Sequence, residues 1–174
     1  MPVQEFVIED GSRDGIWNSG TFTGFLYGFN SSGSYSSILR RFYVTPSELV
    51  FTSSFFVFDG LNPDENISRA YLSLYGIGSL NTDSIIMRLY GIKKPNPELP
   101  TSFTGVIYQP RTDGVLWTVP KTEGVSGSVS VSPDISSVLN EIRVLDGFTQ
   151  SSLFILCVEF VSVITGSSIS AARS

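Results

Sequence analysis

Histidine is absent from this sequence, and cysteine occurs once among its 174 residues. Without an imidazole, the chain lacks the base of Ser-His and Cys-His nucleophile systems and the commonest ligand of zinc and iron sites. Neither a phosphate-binding P-loop pattern nor a GxGxxG pattern is present. Two carboxylates that cleave a glycoside are defined by their distance in space, so that alternative stays open. We expect a protein that is not an enzyme, with no catalytic residue and no bound cofactor.

The single cysteine excludes an intrachain disulfide, which favours synthesis in a reducing cytosol. Cys157 lies within Leu153–Val158, an apolar run that predicts a buried strand in which a thiol packs as a small hydrophobic group. The longer run Leu153–Ile164 is interrupted by Glu159 and is too short to span a bilayer. The first residues show no pattern of a secretion signal. We therefore expect no membrane association.

Charged residues are sparse, at 16% of the chain, and the net charge is -5. Binding to a nucleic-acid backbone requires clustered lysine and arginine side chains that release counterions. The 11 basic residues are instead dispersed, and the densest points are the pairs Arg40–Arg41 and Lys93–Lys94. We expect both pairs to lie on a solvated surface, and we expect no nucleic-acid partner.

Hydrophobic residues make up 41% of the sequence and aromatic residues 13%, so the chain can bury a sizeable core. Abundant serine and glycine with few charges are typical of short strands joined by tight turns. Alternating or continuous apolar segments predict about ten strands, at residues 3–8, 22–29, 38–44, 48–58, 67–75, 84–92, 115–119, 127–131, 152–161 and 164–172. The prediction is an all-β, jelly-roll-like sandwich forming one domain over residues 1–174, with residues 1–20 as a candidate N-terminal arm.

One short helix is predicted at residues 133–145. Ser132–Asp134 combines a serine N-cap, a proline at the first helical position and an acid facing the helix dipole. The apolar residues that follow recur at helical spacing and predict one buried stripe: Ile135, Val138, Leu139 and Ile142. The similar segments Tyr71–Ile77 and Ile86–Ile92, with a turn between them, predict a pair of strands in one hairpin.

Two groups of residues are candidate binding sites. Asp59, Asn62 and Asp64 lie in a loop rich in oxygen-bearing side chains, the ligand type that calcium prefers, although the same residues are ordinary turn formers. Four aromatic residues near glycine, serine and asparagine are candidates for holding a sugar, and alternatively fill the core: Trp17, Tyr27, Phe29 and Tyr35. Trp117, between apolar neighbours, is expected in the core.

Three parts of the chain carry a resemblance to a known group of proteins. Phe56–Leu61 followed by Asn66–Leu74 resembles a strand pair of the form F-x-F and I-x-x-A-x-L-x-L. Val115–Pro120 resembles a later V-x-W-x-x-P strand, and Ser132–Val138 with Leu153–Leu156 resembles an S-x-D-I helix and the strand after it. This order is similar to DNRLRE-type jelly-roll modules and to jelly-roll proteins of tailed bacteriophage virions.

The resemblance implies a fold more than a function. Because DNRLRE-type modules usually belong to secreted proteins and no signal pattern is found here, the expected function is that of a capsid decoration (cement) protein. Such a protein would be made in the host cytoplasm, reside in the virion, form a homotrimer and stabilise the head by binding the major capsid protein. The alternative is a carbohydrate-binding module or a phage tail receptor-binding domain that uses the aromatic residues.

Overall fold

The computed structural model of the protein describes residues 15–19, 42–45, 48–75, 84–98, 109–123, 128–165 and 168–171. In these ranges the chain forms nine strands and one helix. The strands are β1 (Gly15–Ser19), β2 (Phe42–Thr45), β3 (Glu48–Phe58), β4 (Ser73–Tyr75), β5 (Ser84–Gly91), β6 (Val115–Pro120), β7 (Val129–Val131), β8 (Phe154–Thr165) and β9 (Ser168–Ala171). Helix α1 (Ser136–Arg143) lies between β7 and β8 in the sequence.

Seven of these strands form one antiparallel sheet. Its path runs β1-β3-β8-β5-β6, and in addition β2 pairs with β3 and β9 with β8. The centre is β8, which pairs with β3 over Phe154–Val158 and with β5 over Leu156–Ile164. A strand with neighbours on both sides and cover on both faces needs apolar side chains at consecutive positions. The continuous apolar run of β8 follows from this central place.

One face of the seven-stranded sheet, called the first face, carries the larger core. Strands β3, β5, β6 and β8 point alternate side chains to it, including Phe56, Leu89, Trp117 and Leu156. The rings of the cross-strand partners Phe58 and Phe154 stack with centroids 5.3 Å apart. The prediction that Trp117 belongs to the core is confirmed, since this side chain is buried.

The opposite face, called the second face, carries a smaller cluster. Its buried members come from β3, β8, the end of β5 and the residue after it, and they are Phe55, Val57, Tyr90, Ile92, Ile155 and Cys157. Cys157 is fully buried and free, so the prediction of a packed thiol in a buried strand is confirmed.

Helix α1 packs its apolar stripe on the first face. Val138, Leu139 and Ile142 are buried, as the helical spacing predicts. Contact with the sheet is close at Gly91, where an added Cβ would lie 2.5 Å from Cδ1 of Ile142. Glu141 fixes the helix beside the end of β5, because its carboxylate accepts hydrogen bonds from Lys93 Nζ at 3.1 Å and from the amide of Asp113 at 3.2 Å.

The helix begins later than predicted and ends earlier. Its N-cap residue is Ile135, which makes no capping hydrogen bond through its side chain. Ser132, the predicted cap, accepts instead from the amide of Leu72 at 2.9 Å, and Asp134 accepts from the amides of Ala70 and Ser136 at 3.0 and 2.9 Å. The polar residues before the helix therefore hold the backbone at Ala70 and Leu72 in place, rather than only capping the start of the helix.

A two-stranded sheet and α1 form the layer over the first face. Strand β4 pairs with β7, and Leu74 of β4 packs against the larger core. The predicted hairpin between Tyr71–Ile77 and Ile86–Ile92 is wrong, because β4 pairs with β7 and β5 pairs with β6 and β8. The predicted strand at residues 67–75 is also too long, since only its last three residues are a strand.

The predicted fold class is confirmed: two antiparallel sheets and a short helix form an all-β sandwich in the described ranges. Nine strands are present there rather than about ten. The bounds of β3 agree with the prediction, and those of β5 and β6 agree to within one residue. The predicted strands at residues 3–8 and 22–29 lie outside the described residues. Five residues of the candidate arm form β1 and pair with β3.

Candidate functional site

The loop between β3 and β4 contains the three predicted calcium ligands. Its geometry is held from helix α1: the guanidinium of Arg143 donates to the carbonyl of Pro63 at 2.8 Å and to Oδ1 of Asn66 at 3.0 Å. Asn140 donates to the carbonyl of Ile67 at 2.8 Å and accepts from its amide at 3.1 Å. The loop is therefore fixed by amide and guanidinium groups of the helix.

Within this loop, one contact joins two of the predicted ligands. Oδ1 of Asn62 accepts a hydrogen bond from the amide of Asp64 at 3.0 Å, which is an ordinary turn contact. The described residues hold no cluster of three or more aspartate, glutamate, cysteine or histidine side chains suited to a metal. Calcium binding by Asp59, Asn62 and Asp64 stays a prediction.

The predicted sugar-binding aromatic residues fall mainly outside the described residues. Trp17 lies on β1 opposite Ser53 of β3. Tyr27, Phe29 and Tyr35 lie outside the described ranges. Sugar binding by these four residues stays a prediction.

Tyr90 and Cys157 are the buried ionisable groups of the second face. They are direct cross-strand partners on β5 and β8. Burial raises the pKa of Cys157 to about 12, and burial together with the neighbouring thiol raises the pKa of Tyr90 far above its usual range. Among the described residues, the Tyr90 hydroxyl has no hydrogen bond of standard geometry, and its contact with the weakly accepting sulfur of Cys157 is a minor one. Both groups are neutral near pH 7, which suits packing.

A row of exposed and half-buried residues lies beside that buried cluster on the second face. The pairing register aligns Leu116 of β6, Arg88 of β5 and Glu159 of β8. Glu159 forms an ion pair with Arg111 at 3.5 Å, and the Arg111 guanidinium lies 4.6 Å from the centre of the Tyr90 ring. We call Leu116, Arg88, Glu159 and Arg111 the arginine row. It marks the boundary at which the second face changes from buried to exposed.

The two-stranded sheet exposes a second surface. Val131 is opposite Ser73 and Val129 is opposite Tyr75, so both valines share the face that points away from the core. Tyr71 precedes Ser73 by two residues and is also exposed. The exposed fractions of Tyr71, Val129 and Val131 are 54%, 55% and 50%. We call these three residues the outer strip.

Sequence reasoning did not identify either surface. The alternation of buried and exposed positions in β5 and β6 was a signal that Arg88 and Leu116 face solvent. Their alignment with Glu159, however, depends on which strands pair, and three separate segments of the chain contribute to it. The sequence does not reveal the outer strip for a similar reason, because the strip depends on the pairing of β4 with β7 rather than with β5.

The chain matches no protein-family model, no curated protein sequence and no solved structure. The resemblance to jelly-roll virion proteins therefore stays a prediction. In the described ranges, no helix is long and apolar enough to cross a membrane.

Proposed function

We propose that this chain is a non-enzymatic structural protein of a bacteriophage virion, a decoration protein that stabilises the head by binding the major capsid protein. The outer strip is the observation that supports a role in binding another protein. The resemblance of the sequence to jelly-roll virion proteins is the reason for proposing that the protein belongs to a virion. The proposed partner face is an apolar patch of the capsid protein that accepts Tyr71, Val129 and Val131.

The outer strip is a candidate contact surface because its exposed side chains are neighbours. Single exposed apolar side chains are common on any protein, whereas neighbouring ones on a single face are typical of contact surfaces. Tyrosine is enriched at such surfaces because it buries a large ring and keeps a polar tip.

The packing and hydrogen bonding behind the outer strip also suit a contact surface. Leu74 packs into the core beneath it, and Ser130 between the two valines is buried. The amide of Ser132 donates to the carbonyl of Leu72 at 2.9 Å, which continues the pairing of β4 with β7. A surface held in this way loses little conformational freedom on binding, which favours affinity.

Binding to heads that lack the protein tests this function. Purified chain is mixed with such heads and sedimented, and the bound fraction is measured. We expect the double variant Val129→Asp with Val131→Asp to lose binding, because two carboxylates would be buried without partners. Val144→Asp is the matched control, since Val144 is 65% exposed and lies at the end of helix α1.

Two results would contradict the proposal. One is a double variant that keeps its circular dichroism spectrum and binds heads as well as the unchanged chain does. The other is a monomeric chain that ignores heads and binds defined sugars on a glycan array. That second result would favour the alternative function through Trp17, Tyr27, Phe29 and Tyr35.

A further inference from the structure

The arginine row contains an unbalanced positive charge. Two guanidinium groups accompany a single carboxylate: Arg88 is opposite Glu159 in the strand register, and Arg111 makes the ion pair with Glu159 at 3.5 Å. Arg88 is exposed and has no ion pair with any residue that the structure describes. Arginine offers a planar fork of donors that matches a carboxylate, so this side chain is suited to an acidic partner.

Gly114 determines where Arg88 lies. A Cβ at this glycine would be 2.7 Å from Cγ and 2.9 Å from Cδ of Arg88, so the arginine stem occupies the space that a side chain would fill. The stem therefore runs towards the segment before β6, which also carries Arg111. Beside it, Leu116 is 56% exposed and adds an apolar contact. Arginine is enriched among the residues that dominate binding energy at protein interfaces.

A complementary group lies in the loop between β3 and β4. Asp64 and Glu65 are exposed, and neither carboxylate has an ion pair with a described residue. The Arg143 guanidinium holds the adjacent backbone at Pro63 and Asn66. We call Asp64 and Glu65 the acidic corner; its backbone is fixed before any partner arrives.

The acidic corner and the arginine row cannot meet within one molecule. The loop packs with helix α1 on the first face, where its residue Leu61 is part of the larger core. Arg88 lies on β5 and points to the second face, as its exposed position between the buried Met87 and Leu89 shows. The seven-stranded sheet separates them, so contact between these two surfaces requires a second copy of the chain.

We propose that copies of this chain associate head to tail, with the acidic corner of one copy on Arg88 and Leu116 of the next. Because the chain carries 16 acidic residues and a net charge of -5, carboxylates that can meet Arg88 are available on every copy. Because the two surfaces differ, the contact is heterologous and closes a ring or grows an open chain. This association goes beyond the proposed binding of capsid protein and uses different residues.

Sedimentation velocity over a range of protein concentrations tests the association. The unchanged chain is measured at low ionic strength, about 0.01 M, and again at about 1 M, where charges are screened within roughly 3 Å. We expect self-association that weakens with salt. Arg88→Glu is expected to weaken it about tenfold or more, because it places like charges opposite each other. Lys121→Glu, the same change of charge at another exposed position, is expected to leave it unchanged.

Two further variants locate the contact. Asp64→Lys with Glu65→Lys is expected to weaken association as Arg88→Glu does, and the combination of all three changes is expected to restore it. Gly114→Ala displaces the Arg88 stem without changing any charge, and is expected to weaken association. Near-ultraviolet circular dichroism checks that each variant is folded. A chain that stays monomeric at low salt, or a triple variant that does not recover association, would overturn the proposal.

Discussion

The first face of the seven-stranded sheet meets helix α1 and the two-stranded sheet, whereas the second face changes from a buried cluster to the exposed arginine row. The change takes place between neighbouring positions of the same strands: Tyr90 and Cys157 are buried, while Arg88 is exposed and Glu159 half-buried. One set of strands therefore holds the fold together with one face and exposes charged side chains on part of the other.

The difference also shows in how each face uses its polar groups. Near the first face, polar groups act around the core: Asp134, Asn140 and Arg143 tie the loop between β3 and β4 to the start and end of the helix. On the second face, Arg111 lies directly over a buried ring and pairs with Glu159. Polar contacts therefore hold the elements that cover the first face in place. On the second face they lie at the edge of the buried cluster.

Removing helix packing from the first face should give the largest effect. Ile142→Ala removes a fully buried side chain that contacts the sheet at Gly91, and we expect a loss of about 2–5 kcal/mol in the free energy of unfolding. Urea denaturation measures it. Val144→Ala, at an exposed position on the same helix end, should change it by less than about 0.5 kcal/mol. Equal effects of the two substitutions would contradict the packing described for the first face.

Adding one methyl group to each face should give a smaller, unequal effect. Gly91→Ala forces the new Cβ against Ile142 and Val138 inside the core, and we expect a loss of about 1–3 kcal/mol. The nearest atoms to the new Cβ in Gly114→Ala are those of the flexible stem of the exposed Arg88 and then the backbone carbonyl of Leu89 at 3.3 Å, so a loss below about 1 kcal/mol is expected. A larger loss in free energy of unfolding for Gly114→Ala would reverse the comparison.

Raising the pH should weaken the second face. Burial raises the pKa of Cys157 from 9.0 to about 12, so between these values the folded state keeps a proton that the unfolded state releases. Stability is fully present below pH 9.0 and falls above it, at a limiting slope of about 1.4 kcal/mol per pH unit. Urea denaturation from pH 8 to 10 measures the decline, which should be shallower in Cys157→Ala. An identical decline in that variant would exclude the thiol as its source.

The smallest effect is expected at the Tyr90 hydroxyl. Within the part of the chain that the structure describes, this oxygen has no hydrogen bond of standard geometry, so Tyr90→Phe removes a buried polar group and keeps the ring beneath Arg111. We expect the free energy of unfolding to change by less than about 1 kcal/mol, in either direction. Tyr71→Phe on the exposed outer strip is the control. A loss above about 2 kcal/mol at Tyr90 would indicate a strong hydrogen bond and contradict this account.

Much of the main sheet could be predicted from the sequence because its strands have distinctive local patterns. The run Glu48–Phe58 and the alternation from Ser84 onwards identify β3 and β5 with nearly correct bounds. The stripe Val138, Leu139 and Ile142 likewise predicts which side of α1 is buried. These signals come from residues that are close in the sequence. They persist in the structure because each strand or helix buries one of its faces.

The remaining features depend on contacts between distant parts of the chain. Residues 67–72 alternate like a strand, but Asn140 and Asp134 bind their backbone from the helix region, so no strand forms there. Ser132 looks like a helix cap and instead holds Leu72. The arginine row and the outer strip need the pairing of β8 with β5 and of β7 with β4. A single sequence does not show these pairings.

Hydroxyl-radical footprinting during self-association tests most directly whether the two faces have different roles. It compares two apolar side chains with similar exposed fractions, Leu116 on the arginine row at 56% and Val129 on the outer strip at 55%. Oxidation is measured by mass spectrometry at low and high protein concentration. We expect association to lower the oxidation of Leu116 and to leave that of Val129 unchanged. Protection of Val129 with no change at Leu116 would contradict the proposed contact.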